Sequence, residues 1–182
     1  MIKSTIIITA ENKENTIYKT VKSCLNQTYK NIEIIIAYSK LRNEKKLKKK
    51  IKSRKVIFLK IKKKIKNKVH DQLFKIQKSL KISDGEIIFL LDGDDTFYKK
   101  KVETLNKIIN IKKIMILDNF YISKNNKKFK KKSLDFKNNY FFRKTFNDWP
   151  KNVCTSAITI NKQLLIKFFN EIDFRNYKYL AI

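Results

Sequence analysis

Short apolar runs alternate along the chain with stretches in which apolar residues recur every three or four positions. An unbroken apolar run is typical of a strand covered on both faces, and the wider spacing is typical of an amphipathic helix. The pattern predicts strands joined by helices, as in βαβ units. Strands are predicted at residues 5–9, 33–37, 56–59, 87–91, 114–117 and 155–160, and helices at 14–26, 41–51, 69–80, 102–109 and 164–169.

The pattern becomes weaker after residue 117. Residues 118–122 are predicted to continue the preceding strand, and residues 124–132 to form an exposed basic turn between strands. Residues 133–147 have no clear period. Their aromatic side chains, among them Tyr140, Phe141 and Phe142, are interpreted as core packing or as one wall of an acceptor site.

The apolar run at residues 87–91 is followed directly by Asp92, Gly93, Asp94 and Asp95. In open α/β sheets the ligand crevice lies beyond the carboxyl ends of the strands, where these acids would lie. Carboxylates ~4 to 5 Å apart repel by roughly 3 to 4 kcal/mol per pair at an effective dielectric near 20. A divalent cation, Mg²⁺ or Mn²⁺, would relieve this repulsion. The alternative is a solvated turn, since Asp and Gly are common turn residues.

The length of 182 residues indicates one domain. The chain has only two cysteines, Cys24 and Cys154, which indicates reduced thiols. No segment has the apolar length of a membrane span or a signal peptide, so a cytoplasmic protein is predicted.

The net charge is +28, from 44 Lys and Arg against 16 Asp and Glu. The chain is rich in residues with A/T-rich codons, so we interpret the lysine excess mainly as solvated surface and expect no nucleic-acid partner. A basic helix near residues 45–54 could lie on the inner face of an anionic membrane. A basic nucleic-acid-binding protein remains the alternative from a different class; it would show a steep loss of affinity with salt.

Four sequence motifs lie at residues 4–12, 22–29 with 31–35, 85–95 and 155–157. Taken together they resemble the family 2 glycosyltransferases of the GT-A fold. The first resembles the family's opening strand and nucleotide loop, and the second its helix end, Gln-Thr-Tyr turn and second strand. The third is similar to its strand and Asp-x-Asp signature, and the fourth to an acceptor-side segment.

The resemblance implies an α/β fold of the GT-A, Rossmann-like type, with a mixed, mostly parallel sheet flanked by helices. It implies one domain over residues 1–182, with a nucleotide-sugar-binding half at 1–118 and a partial acceptor half at 119–182. The implied function is metal-dependent, inverting transfer of a sugar from a nucleotide sugar, with a UDP-sugar favoured. The acceptor would be a glycan or a lipid-linked acceptor in synthesis of cell-envelope polysaccharide.

The resemblance also implies roles for particular residues. A catalytic base is expected after the acceptor-side strand, at Asp173 or at a residue beyond Ile182 in a longer chain, with Asp148 as a lesser candidate. Asp94 and Asp95 are expected to hold Mn²⁺ or Mg²⁺. The nucleotide sugar is expected to contact Thr9, Ala10, Glu11, Tyr38, Asp92 and Gly93.

The sequence also departs from the family pattern. Tyr38 and Ser39 replace an Asp pair after the second strand, and Glu11 replaces an aromatic residue beside the base. Ile76 or a neighbour stands where an Arg is frequent. Because of these departures, the identity of the nucleotide stays open. A catalytically inactive domain of the same fold, which binds the nucleotide sugar but does not transfer it, stays open as the alternative.

Overall fold

A computed structural model describes residues 2–11, 15–62, 65–109, 115–124, 127–130 and 154–171. These residues form β1 (Ser4–Ala10), α1 (Ile17–Leu25), β2 (Ile32–Tyr38), α2 (Glu44–Lys50), β3 (Val56–Lys60), α3 (Lys68–Leu80), β4 (Ile87–Asp92), α4 (Lys101–Ile109), β5 (Met115–Leu117), β6 (Tyr121–Lys124), β7 (Lys127–Lys130), β8 (Ile158–Asn161) and α5 (Lys162–Glu171).

Six strands form one sheet in the order β3-β2-β1-β4-β8-β5. The first four are parallel to one another, and β8 is antiparallel to both of its neighbours. Because β4 and β5 both oppose β8, they point in the same direction. The carboxyl ends of β1, β2, β3, β4 and β5 therefore meet at one edge of the sheet. This confirms the predicted α/β class with a mixed, mostly parallel sheet.

Helices cover both faces of the sheet, which explains the unbroken apolar runs of the central strands. In β1 all seven residues are buried. Ile6 and Ile8 pack in one core with residues of α1 and α4, whereas Ile7 packs in a second core with residues of α3 and α5. Side chains alternate along a strand, so each central strand supplies apolar residues to both cores.

The Gln-Thr-Tyr turn joins the end of α1 to the beginning of α4. Gln27 is fully buried; its amide nitrogen donates to the Tyr98 carbonyl at 2.9 Å, and its amide oxygen accepts from the Val102 N–H at 3.1 Å. The Thr28 hydroxyl donates to the Glu103 carboxylate at 2.7 Å. The Gln-Thr-Tyr turn therefore has a structural role, since it fixes the segment that follows residues 92–95, the acidic turn.

Three sequence predictions of strands and turns are wrong in detail. Residues 118–122 do not continue β5: the Asp118 N–H donates in register to the Ala157 carbonyl at 3.0 Å, but residues 155–157 form a 3₁₀ turn and offer no further strand to pair with. The predicted basic turn at 124–132 contains β7, which pairs with β6 as a hairpin. Residues 155–157 form a 3₁₀ turn, and only residues 158–161 form the strand β8. Tyr140, Phe141 and Phe142 lie outside the described residues.

Candidate functional site

The parallel pairing of β1 with β4 places Thr9 opposite Asp92 at the carboxyl edge of the sheet. Gln72 of α3 reaches both side chains: its amide nitrogen lies 2.6 Å from Asp92 Oδ1 and 3.2 Å from Thr9 Oγ1. The same nitrogen lies 3.2 Å from the hydroxyl of Thr155. One amide group thus joins two strands to the segment that precedes β8.

Gln72 is not among the site residues predicted from the sequence. A signal for it was present, because residue 72 shares a helical face with the apolar residues Val69, Leu73 and Ile76. A polar side chain on an apolar face needs a hydrogen-bond partner once it is covered. The partners lie on distant strands, so only the fold could reveal them.

Backbone and hydroxyl contacts hold the acidic turn after β4 in place. The Gly93 N–H donates to the Thr9 carbonyl at 2.9 Å, and the Asp95 N–H donates to the Asp92 carbonyl at 3.0 Å. The hydroxyls of Thr16 and Thr20, at the beginning of α1, donate to the Gly93 carbonyl at 2.9 and 3.0 Å. Both polar groups of the Gly93 backbone are therefore paired.

Ser156 connects the acidic turn to the segment before β8. Its hydroxyl accepts from the Asp92 N–H at 3.0 Å and donates to Asp95 Oδ2 at 2.6 Å. Its carbonyl accepts from the Lys101 ammonium at 2.7 Å, and this ammonium also lies 3.0 Å from the Asp118 carboxylate. Burial raises the pKa of Asp118, while the neighbouring Lys101 opposes that shift.

The three carboxylates differ in exposure: Asp92 and Asp95 are half-buried and Asp94 is exposed. Within the described residues, no three or more His, Cys, Asp or Glu side chains converge on a point where they could hold a metal ion. Magnesium in phosphate-handling sites is commonly held by one or two carboxylates together with substrate phosphates. The carboxylates of Asp94 and Asp95 fit that donor set.

A buried ammonium group lies beside the end of β1. Lys75 of α3 is 2% exposed, and its Nζ lies 2.6 Å from Asp71, 3.0 Å from Glu11 and 3.2 Å from the Ala10 carbonyl oxygen. Ile76 or a neighbour was predicted to stand where the family frequently has an Arg, and Ile76 lies in the core. Its neighbour Lys75 supplies a cation beside the loop that follows β1.

Tyr38, one of the predicted site residues, does not join the side chains around Asp92. The Tyr38 side chain is fully buried in the core on the α1 side and meets the Phe58 ring edge-on, with 6.5 Å between ring centroids. Its proposed contact with a nucleotide stays a prediction. Asp173 lies outside the described residues.

The fold and the acidic turn at the carboxyl edge of the sheet define a GT-A-type α/β domain. A sequence model of glycosyl transferase family 2 matches residues 5–172, and the chain belongs to this family.

The chain is 36% identical over 121 residues to the UDP-Glc:alpha-D-GlcNAc-diphosphoundecaprenol beta-1,3-glucosyltransferase WfaP of Escherichia coli. This match covers 65% of the chain and 46% of the relative, so the chain spans less than half the length of that protein. Crystal structures of S. aureus TarS 1–349 with UDP and with UDP-GlcNAc share the fold at a TM-score of 0.51 and 16% identity. The matches cover 60% of the chain and 32% and 31% of those structures.

Proposed function

We propose that this chain binds a UDP-sugar and a divalent metal, and that it supplies the donor side of a transfer to a lipid-linked glycan. The observation that carries the proposal is the contact of Asp92 with Thr9 and Gln72, which joins the acidic turn to the end of β1. The names of the relatives support the substrate class: WfaP is named for UDP-glucose and a diphosphoundecaprenol-linked sugar, and TarS was solved with UDP. A role in cell-envelope synthesis follows from that acceptor class.

In this proposal the loop after β1 contacts the nucleotide through Thr9, Ala10 and Glu11, and Asp92 with Gly93 contacts the ribose or the diphosphate of the nucleotide sugar. Lys75 fixes that loop, since its ammonium group bonds both the Ala10 carbonyl and the Glu11 carboxylate.

Asp94 and Asp95 are the proposed metal ligands, and Mn²⁺ or Mg²⁺ would offset the negative charge that develops on the departing diphosphate. Ser156 orients Asp95 for that role. Residues 1–118 would form the donor half, and residues 119–182 would begin the acceptor half. Transfer with inversion needs a carboxylate base on the acceptor side, for which Asp173 or a residue of a longer chain is proposed.

Isothermal titration of the chain with UDP, with and without Mn²⁺, tests the donor site. Binding that requires the metal would support the proposal. Binding of equal strength with EDTA would contradict the metal role, and no binding under either condition would contradict the donor site. A steep salt dependence of binding to single-stranded DNA, with no UDP binding, would instead favour the nucleic-acid alternative.

We expect Gln72→Leu to weaken UDP binding about tenfold, because Asp92 loses the shorter of its contacts with Gln72 and Thr9, and a hydrogen bond to a charged group contributes about 1.5–3 kcal/mol. The measurement is the dissociation constant for UDP with Mn²⁺ present. The matched control is Gln77→Leu on the same helix, which should bind UDP like the parent. Equal affinity in the Gln72 and Gln77 variants would show that Asp92 does not depend on this contact.

The donor half also offers a surface for an anionic membrane. Helix α2 buries only Leu47 and contains five lysines, all exposed. No helix among the described residues is long and apolar enough to cross a bilayer. Each lysine near an anionic surface contributes about 1 kcal/mol to binding. We propose peripheral contact through α2, which would bring the chain to a lipid-linked acceptor at the inner face of the membrane.

Replacing Lys45 and Lys49 by Gln is expected to weaken co-sedimentation with phosphatidylserine-containing vesicles on the order of tenfold at low salt. The control replaces Lys19 and Lys22, two exposed lysines of α1, and should change the partition less. Equal losses in the two double variants would indicate a diffuse charge effect without a defined contact face.

A further inference from the structure

Two exposed tyrosines lie side by side beyond the acidic turn. Tyr98 is 56% exposed and Tyr121 is 48% exposed. Their rings meet edge to face, with 5.9 Å between centroids and an interplanar angle of 72°. Large aromatic rings are usually covered in a folded domain, so a solvent-facing pair is a candidate contact surface.

Both tyrosines follow strands that end at the sheet edge of the proposed donor site. Tyr98 follows the carboxyl end of β4, and Tyr121 follows the carboxyl end of β5, which points in the same direction. A chain of contacts leads from the acidic turn to the segment before Tyr121: Asp95 bonds Ser156, Ser156 bonds Lys101, and Lys101 bonds Asp118. These contacts connect the pair to the acidic turn on its β5 side.

The backbone under Tyr98 is fixed although its ring is exposed. The Tyr98 carbonyl accepts from the amide of buried Gln27 at 2.9 Å and from the Lys101 N–H at 3.0 Å. A ring on an anchored backbone loses little conformational freedom when it binds a ligand. The hydroxyl tip adds a hydrogen-bonding group beside an apolar face.

We propose that Tyr98 and Tyr121 form a platform for the acceptor, in which the apolar C–H face of a pyranose ring stacks on one exposed ring face and the other ring, at 72° to the first, borders the rim of the sugar. A pyranose presents carbon-bound hydrogens on its faces and hydroxyls at its rim, so it complements the electron-rich face of a tyrosine ring and a polar surround. The β5 side of the acidic turn is the side remote from the nucleotide loop, since β1 lies on the other flank of β4. This inference rests on the proposed function, because it assigns the sugar acceptor of the same site.

The test is saturation-transfer difference NMR of the chain with methyl 2-acetamido-2-deoxy-α-D-glucopyranoside, with UDP and Mn²⁺ present. We expect Tyr98→Ala and Tyr121→Ala each to weaken sugar binding about fivefold, as for loss of one aromatic contact of about 1 kcal/mol. Tyr98→Phe keeps the ring and should bind like the parent. Lys99→Ala, an exposed neighbour, should also bind like the parent.

The outcomes separate this inference from the donor-site proposal. Weaker sugar binding in both alanine variants, with unchanged UDP titration and circular dichroism, supports the platform. Sugar binding that is absent in the parent, or equal in the parent and both alanine variants, overturns it. If the parent fails to bind UDP, the donor-site proposal is wrong. The saturation-transfer signal of the sugar, compared between the parent and Tyr98→Ala, then still tests the platform by itself. If Tyr98→Ala lowers the partition of the protein into neutral lipid vesicles but leaves sugar binding unchanged, the pair contacts a membrane and the platform is overturned.

Discussion

Asp94→Ala is expected to weaken Mn²⁺-dependent binding of UDP about a hundredfold, because the variant loses a carboxylate proposed to hold the metal on the diphosphate. Asp94 is the exposed acid of the turn, so an ion from solvent can reach its carboxylate. A cation at the turn would therefore depend strongly on Asp94. The measurement is the dissociation constant for UDP by isothermal titration, with Mn²⁺ and with EDTA.

The comparison between metal and chelator makes this prediction specific. In the parent, removal of Mn²⁺ should weaken UDP binding, and in Asp94→Ala it should have no further effect. Asp84→Ala is the matched control, because it removes the same atoms from an exposed side chain ahead of β4, at the opposite end of the strand. If Asp94→Ala retains the full response to Mn²⁺, the metal is held by other residues.

Gly85→Ala is expected to lower the free energy of unfolding by about 3 kcal/mol or more, since the new methyl group would meet backbone atoms that cannot move aside. A Cβ on Gly85 would lie 2.4 Å from Thr5 Oγ1, 2.5 Å from the Thr5 nitrogen and 2.6 Å from the Ser4 carbonyl carbon. The chain passes this close to β1 because the buried Glu33 carboxylate accepts from the Gly85 N–H at 3.2 Å and from the Thr5 hydroxyl at 2.5 Å.

Thermal unfolding followed by circular dichroism measures this effect, and a loss of about 3 kcal/mol corresponds to roughly 6 to 12 °C in Tm for a chain of this size. The neighbouring change Asp84→Ala removes an exposed side chain, 73% accessible, and its salt bridge to Lys3, so it should shift stability by less than about 1 kcal/mol. A Tm for Gly85→Ala within a degree of that control would show that the entry into β4 can relax.

Much of the fold follows from local sequence pattern. The apolar runs of β1, β2 and β4 predict strands that are covered on both faces, and the structure buries them in that way. Burial on both faces needs helices on both sides, so the α/β class follows from the same residues. The pattern failed at residues 124–132, because β7 reads KKFK and has no apolar run that would mark it as a strand, although its pairing with β6 is local. The strand predicted at 155–160 begins only at residue 158, after a 3₁₀ turn.

The candidate site was predictable only in part. The acids stand at the end of an apolar run, so Asp92, Asp94 and Asp95 could be placed at a sheet edge from their position alone. Gln72 and Ser156 could not be assigned in this way, because each acquires its role through contacts 20 and more residues away. Lys75 was missed for the same reason, since its partner Glu11 is 64 residues distant.

The sequence by itself determined the order of strands and helices through β5, the acidic turn at the end of β4 and the family to which the chain belongs. Tertiary structure alone decided which side chains meet at that turn, and it turned Tyr38 into the core while it left Tyr98 exposed. The physical reason is that strand and helix periods are local properties of a sequence, whereas hydrogen bonds between strand ends depend on how separate elements pair and pack.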